Sequence, residues 1–214
     1  MCKTKLIIIR HGESIGNLKQ HFLGQTDWDL SEQGYNQAKI TANFLKEEKI
    51  DVVYSSDLIR AYNTVLPIAK TRGLEVIKNK NLREIYAGEW EAKSYDELCE
   101  SYSEPYTIWK TDIGNAACTG GESVLDVQKR VYDEILAIAK NNIGKTVCIG
   151  THATPIRTLF AAIKNIDKDL MHNIKWASNA SITIVEYENG ELIVKEYSKD
   201  DFMGDNVTVF SKNI

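Results

Sequence analysis

The sequence has no long apolar run, little cysteine and no excess of positive charge, and each lack removes a class of protein. Behind the basic start Met1-Cys2-Lys3-Thr4-Lys5, the aliphatic stretch is only Leu6 to Ile9. That is too short for a signal peptide and far too short to span a bilayer, so a cytoplasmic protein with no membrane partner is expected. A net charge of -4 gives no electrostatic reason to expect nucleic acid or an anionic membrane as partner, and any anion must be attracted locally. The four cysteines, Cys2, Cys99, Cys118 and Cys148, form no Cys-x-x-Cys pair, which favours reduced thiols over a disulfide framework or a zinc site. His11, His21, His152 and His172 show no ligand spacing, and no acidic run supplies a hard-metal cage. Neither a metal nor another cofactor is expected.

With 214 residues, 43% hydrophobic and 26% charged, the chain is large enough for a substantial core. It shows no internal repeat, low-complexity tract or linker, so a single domain over 1–214 is expected. Leu6-Ile7-Ile8-Ile9 stops abruptly at Arg10-His11-Gly12. An uninterrupted aliphatic run reads as a strand buried on both faces of a parallel sheet, and ligands bind at the C-terminal ends of such strands. There Gly12 would let the backbone approach a ligand closely. The pattern recurs twice: Val52-Val53-Tyr54 runs into Ser55-Ser56-Asp57-Leu58-Ile59-Arg60, and Val147-Cys148-Ile149-Gly150 into Thr151-His152. In a parallel sheet all of these polar groups face one side.

Between these strands the spacing predicts a short helix from Ser14 to Lys19, a loop over Gly24 to Leu30, and a helix from Glu32 to Lys49 behind the N-cap Ser31. A further helix from about Asp57 carries Arg60 in its first turn, with a kink or early end at Pro67. Leu74 to Ile77 reads as an edge strand and Asn81 to Ile85 as a short extended piece bearing Glu84. Tyr86 to Ser123, with Trp90, Tyr95, Tyr102, Tyr106, Trp109 and a capping box from Ser94 to Glu97, reads either as a lid or as a satellite helical pair with its own cluster. Ser123 to Lys140 is a helix, Thr154-Pro155 an N-cap and first turn of the next, and Ser181 to Tyr197 a hairpin around Asn189-Gly190. The hairpin's edge either pairs between subunits in a homodimer or is covered by the Val207 to Phe210 tail.

Two arginines, two histidines and a glutamate at one crevice suit the binding and transfer of a phosphoryl group. The guanidinium forks of Arg10 and Arg60 match phosphate oxygens and depress the basicity of a nearby imidazole. A neutral His11 has a lone pair free to attack phosphorus, and His152 completes the oxygen cage. Glu84 is the candidate proton donor to the leaving alkoxide, with Glu13 as its competitor.

Arg10-His11-Gly12-Glu13-Ser14 with Asn17, Leu30-Ser31-Glu32-Gln33-Gly34 with Gln37-Ala38, Ser55-Ser56-Asp57-Leu58 with Arg60-Ala61, Leu82-Arg83-Glu84, Gly121-Glu122-Ser123 and Gly150-Thr151-His152 together resemble the histidine phosphatase superfamily, which also contains the cofactor-dependent phosphoglycerate mutases. The resemblance implies a three-layer α/β/α sandwich with a mostly parallel central sheet and a helical lid insertion at about 86–122. It also implies His11 as phosphoryl acceptor, Glu84 as proton donor, Arg10, Arg60 and His152 as the phosphate pocket, and Asn17 in support. Gly24, Gln25 and Thr26, in a loop that looks like that of the phosphatase branch, become substrate-binding candidates. Ala153 and Ala92 stand where glycines are usual. A mutase needs a basic insertion to retain a second phosphate, whereas Ile85 to Gly121 carries only Lys93 and Lys110 as cations. The segment looks like the phosphatase branch, including α-ribazole phosphatase and broad-specificity phosphomonoesterases, and a small phosphorylated metabolite is the expected substrate. Two alternatives stay open: a phosphoglycerate mutase, and a phosphate-binding scaffold without turnover.

Overall fold

The structure is a computed structural model and describes residues 3–208. Its elements in chain order are β1 (Thr4–Arg10), α1 (Ile15–Leu18), β2 (His21–Phe22), α2 (Glu32–Phe44), β3 (Val52–Ser55), α3 (Ile59–Lys70), β4 (Val76–Lys78), β5 (Lys93–Ser94), α4 (Tyr95–Ser101), α5 (Ser103–Thr111), α6 (Val124–Asn141), β6 (Thr146–Thr151), α7 (Ala153–Ile163), β7 (Ile182–Glu188) and β8 (Glu191–Lys199). The main sheet has the order β4-β3-β6-β1-β7-β8. Its first four members are parallel, and the β7–β8 hairpin adds to β1 in antiparallel sense.

The aliphatic run of β1 is continuous because both faces of the sheet are covered. Leu6 and Ile8 join the core under α6 and α7 with Val127, Val131, Ile135, Ile156 and Leu159. Ile7 and Ile9 join the opposite core with Ala42, Val65 and Ile68 of α2 and α3. This is the three-layer α/β/α arrangement, and it sets the C-terminal ends of β1, β3 and β6 side by side.

Local departures from the sequence expectation have identifiable causes. Helix α2 stops at Phe44 rather than Lys49. The Arg72 guanidinium takes the carbonyls of Leu45 and Glu48 beyond its end, and Ile50 turns inward to 6% exposure. Helix α3 passes through Pro67 to Lys70, because buried Ile68 and Ala69 hold the last turn against the lost backbone bond. The extended piece expected at 81–85 begins as a 3₁₀ turn over Lys80–Leu82, capped by the Asn79 side chain. His152, not Thr154, is the N-cap of α7, which starts two residues earlier than expected, at Ala153. The tail expected at 207–210 lies partly outside the described residues.

The 86–122 insertion contains α4, with its capping box from Ser94 to Glu97, and α5. Its strand β5 pairs with β2 in a small second sheet. Its aromatic residues are not a separate satellite. Trp90, Tyr106 and Trp109 are buried in the same core as Leu6 and Ile8, and Phe22 meets Trp90 edge-on with ring centroids 5.5 Å apart. Two members of the insertion, Tyr95 and Trp109, also reach the pocket above the strand ends.

Candidate active site

The parallel strands bring together groups that lie far apart in sequence. Arg10, His11, Asn17, Gly24, Arg60 and Glu84 all line one pocket at the C-terminal edge of the sheet. His152 stands directly behind it, wholly buried, its ring centroid 5.2 Å from that of His11.

His11 is oriented by its own turn. Its Nδ1 lies 2.7 Å from the Gly12 carbonyl oxygen. A carbonyl only accepts, so Nδ1 carries the proton and Nε2 keeps its lone pair. Burial pushes the imidazolium form well below the usual histidine range, and Arg60 and Arg10 lower it further. The ring is therefore neutral over the physiological range. Its carbonyl accepts from the Ala180 backbone N–H at 3.2 Å and from Asn179 Nδ2 at 3.0 Å. Gly12 does not serve ligand approach as expected: a Cβ there would come within 2.6 Å of the Gly34 carbonyl oxygen, so this glycine admits the N-terminus of α2 against the loop.

The two arginines are almost fully buried. Burial lowers Arg10 to about 9, opposed chiefly by Glu84, and lowers Arg60 to about 10, opposed by Glu84 and Asp27. Both stay cationic at neutral pH. Arg10 donates to the Ala177 carbonyl at 2.5 Å, and Arg60 to the carbonyls of Gly24 and Thr26 at 2.7 and 2.8 Å. Glu84 Oε1 accepts from the Ile85 N–H at 2.8 Å and Oε2 from the Thr154 N–H at 3.2 Å, so its carboxyl rests on the N-terminal turn of α7. Glu13, its competitor, accepts from Ser31 Oγ at 2.6 Å and is not among the pocket residues; it braces the start of α2.

His152 donates to or accepts from Ser56 Oγ at 2.8 Å through Nε2, while its buried Nδ1 has no hydrogen-bond partner among the described residues. Burial, Arg60 and His11 all push its protonated form well below the ordinary value. Asn17 Oδ1 accepts from Ser14 N and Oγ at 3.1 and 3.0 Å and from Asn179 Nδ2 at 3.3 Å, which leaves its amide N–H groups as the side it offers to the pocket. Of the loop candidates, Gly24 lines the pocket and Gln25 and Thr26 do not. The Gln25 side chain bonds Arg83 and the Glu84 carbonyl, and Thr26 bonds Glu91. Ala153 is a wall residue, and Ala92 sits away from the pocket with φ +57°.

Sequence reasoning did not identify Asn179 or Trp176. Asn179 lies just before β7 and bridges the His11 carbonyl to Asn17, while Trp176 forms part of the pocket wall with Tyr95 and Trp109. Neither carries a local signal, because a lone Asn or Trp in a loop is ordinary until the hairpin folds back on β1. Gln37, a member of the motif around Ser31, accepts through Oε1 from the Glu13 N–H at 2.8 Å and so fixes the same loop.

A family model of the histidine phosphatase superfamily (branch 1) matches residues 6–200. Phosphoserine phosphatase 1 of Hydrogenobacter thermophilus is 35% identical over 89% of this chain and 90% of its own. The metal-independent phosphoserine phosphatase of Arabidopsis thaliana is 32% identical over 91% of this chain and 81% of its own. Among solved structures, YhfR of Bacillus stearothermophilus superposes with a TM-score of 0.90 at 28% identity, covering 94% of this chain and 99% of that one. With the family pattern spanning almost the whole chain and the histidine, arginine and glutamate side chains gathered at one pocket, this chain belongs to the histidine phosphatase superfamily.

Proposed function

We propose that the chain acts as a single-domain, metal-independent phosphomonoesterase working through a phosphohistidine on His11. The observation that carries this reading is the His11 ring itself, neutral, with Nδ1 tied to the Gly12 carbonyl and Nε2 left with its lone pair on a ring that lines the same pocket as Arg10 and Arg60. In the first step the Nε2 lone pair attacks phosphorus, the bond from phosphorus to the ester oxygen breaks, and the protonated Glu84 carboxyl gives its proton to the departing alkoxide. Arg10, Arg60, the Asn17 amide and His152 Nδ1 hold the non-bridging oxygens as charge shifts. In the second step the Glu84 carboxylate takes a proton from water, the water oxygen attacks phosphorus, and the N–P bond breaks. Inorganic phosphate leaves, and both side chains return to their starting states.

The substrate in this reading is a small phosphorylated metabolite in the cytoplasm. Relatives named as phosphoserine phosphatases support a small leaving group. The wall of Phe22, Tyr95, Trp109 and Trp176 favours one that presents an apolar face. A phosphoglycerate mutase would need charge to retain a second phosphate. Among the described residues lining the pocket, Arg10 and Arg60 are the only Lys or Arg side chains, and both are committed to the transferring group. The outer edge of the sheet, β8, carries Lys195, Glu196 and Lys199, charges that oppose edge pairing, so strand-paired dimerisation is not part of the reading.

The test is acid-quenched turnover of an aryl phosphate followed by mass spectrometry of the His11 peptide. A phosphoryl adduct is expected in wild type, with loss of both adduct and hydrolysis in a folded His11→Ala variant. Retained turnover in that variant removes the mechanism, and isomerisation of monophosphoglycerate outpacing hydrolysis in the presence of bisphosphoglycerate installs the mutase instead.

A further inference from the structure

Behind the Trp109–Trp176 wall lies a second cleft, of about 280 Å³, whose lining includes Lys110, Arg157, His172 and Lys175 and no aspartate or glutamate. On a chain of net charge -4 a concave site with cations of one sign alone stands out. Arg157 is its deepest member, 5% exposed on α7. Its Nη2 donates to the carbonyls of Met171 and His172 at 3.0 and 3.1 Å, while its buried Nε has no acceptor among the described residues. Among the described residues no carboxylate forms an ion pair with it, and none does with Lys110 or Lys175. A buried guanidinium is normally paired, because stranding a charge away from water is costly.

The guanidinium also stacks on the ring of Trp176, with Cζ 4.2 Å from the centroid. Trp176 in turn stacks on Trp109 at 6.1 Å with 27° between the planes. Both tryptophans line the catalytic pocket as well as this cleft, so whatever settles on Arg157 bears on a wall that the substrate touches. Lys110 and Lys175 are exposed, and with Nη2 taken up by two carbonyls and Nε buried, Nη1 is the donor that Arg157 offers to a ligand oxygen.

We propose that this cleft is a second anion site, separate from the phosphoryl pocket, which takes a small oxyanion bearing phosphate or carboxylate oxygens between Arg157, Lys110 and Lys175. Its occupant modulates turnover through the Trp176 wall. The site does not require the catalytic reading, since binding is measurable without turnover.

Isothermal titration of the full chain with inorganic phosphate tests it, alongside inhibition of aryl phosphate hydrolysis. Wild type is expected to take two phosphates per chain, one competitive with substrate and one not. In a Lys110→Gln/Lys175→Gln variant, kcat and KM stay as in wild type while the non-competitive phosphate binds about tenfold more weakly, the loss expected for two charge-assisted contacts. Arg157→Lys, which keeps the charge and loses the planar guanidinium, is the second variant; it also weakens the non-competitive event, and any change in kcat or KM there reports the lost stack on Trp176. Malonate in a parallel titration separates the sources. Binding of malonate that weakens in the lysine variant assigns a carboxylate ligand, and phosphate binding without malonate assigns a phosphate ligand; either supports the site. A single phosphate per chain with no malonate bound, or a second event of unchanged strength in both variants, overturns it.

Discussion

At the scale of single residues, the chemistry turns on which nitrogen of His11 holds the proton. The Gly12 carbonyl fixes it on Nδ1, and burial beside two guanidinium groups keeps the ring neutral. Histidine-selective nitrogen NMR at pH 6 is expected to show His11 neutral and in the Nδ1–H form; a ring titrating near 6.5, the ordinary value, would take away its role as nucleophile. Glu84 faces a different demand, because the need for an acid depends on the leaving group. In single-turnover measurements of the first step, Glu84→Gln is expected to slow release of an alkyl alcohol by roughly 10²- to 10⁴-fold while sparing the release of nitrophenol, whose departing oxygen hardly needs a proton; the later hydrolysis of the phosphohistidine slows for both. Equal losses in the release step on both substrates would show that Glu84 is not the proton donor. Ala92, at φ +57°, sits where a Cβ is strained, so Ala92→Gly is expected to raise stability by about 0.5–1 kcal/mol in denaturant titrations at unchanged activity.

At the scale of elements, the catalytic turn after β1 is held from two sides. Gln37 on α2 accepts from the Glu13 N–H and donates to the Asn206 carbonyl and to Thr208, and Asn179 ahead of β7 donates to the His11 carbonyl and accepts from Thr208. The segment at 206–208 thus ties a helix and a hairpin to the loop that carries the nucleophile. Asn179→Ala removes the bond to His11 and leaves the carbonyl one donor short in a buried site. It is expected to lower stability by about 1–3 kcal/mol and to lower kcat roughly tenfold to a hundredfold through misplacement of the ring, with KM for aryl phosphate little changed. A melting temperature that falls while kcat holds would reduce Asn179 to a packing role.

For the molecule as a whole, two buried histidines link stability to pH. His11 and His152 both have folded-state values well below 6.5, chiefly through burial. The unfolded chain therefore takes up protons first as pH falls, and stability drops below about 6.5 and levels off only beneath the depressed folded values. Above 6.5 these groups are neutral in both states and add no slope. Denaturant midpoints from pH 8 to 5 check this: the fall below 6.5 is expected to shrink in a His152→Gln variant, and an identical profile there would exclude His152 as a source. No helix among the described residues is long and apolar enough to cross a membrane, which agrees with the short apolar run after the N-terminus.

Much of this was legible in the chain because it is local. Continuous aliphatic runs identify doubly covered strands, and the polar pairs Arg10-His11 after Ile9 and Thr151-His152 after Gly150 mark strand ends where a parallel sheet leaves backbone groups open. Capping residues Ser31, Ser94 and Ser123 predict helix starts because the side chain and the N–H it caps are three residues apart. What ran wrong was also physical: Pro67 lies in α3 because tertiary burial of Ile68 and Ala69 outweighs one lost hydrogen bond, and Gln25 and Thr26 turn aside because Glu91, more than sixty positions on, claims their donors. By itself the sequence determined the strands, the nucleophile candidate and the family resemblance, since each rests on neighbours in the chain. Only the tertiary structure decided which nitrogen of His11 is free, which carboxylate faces it, and that Asn179 and the Trp176–Arg157 stack stand around it, because hydrogen bonds and stacking between distant residues have no local signature to read.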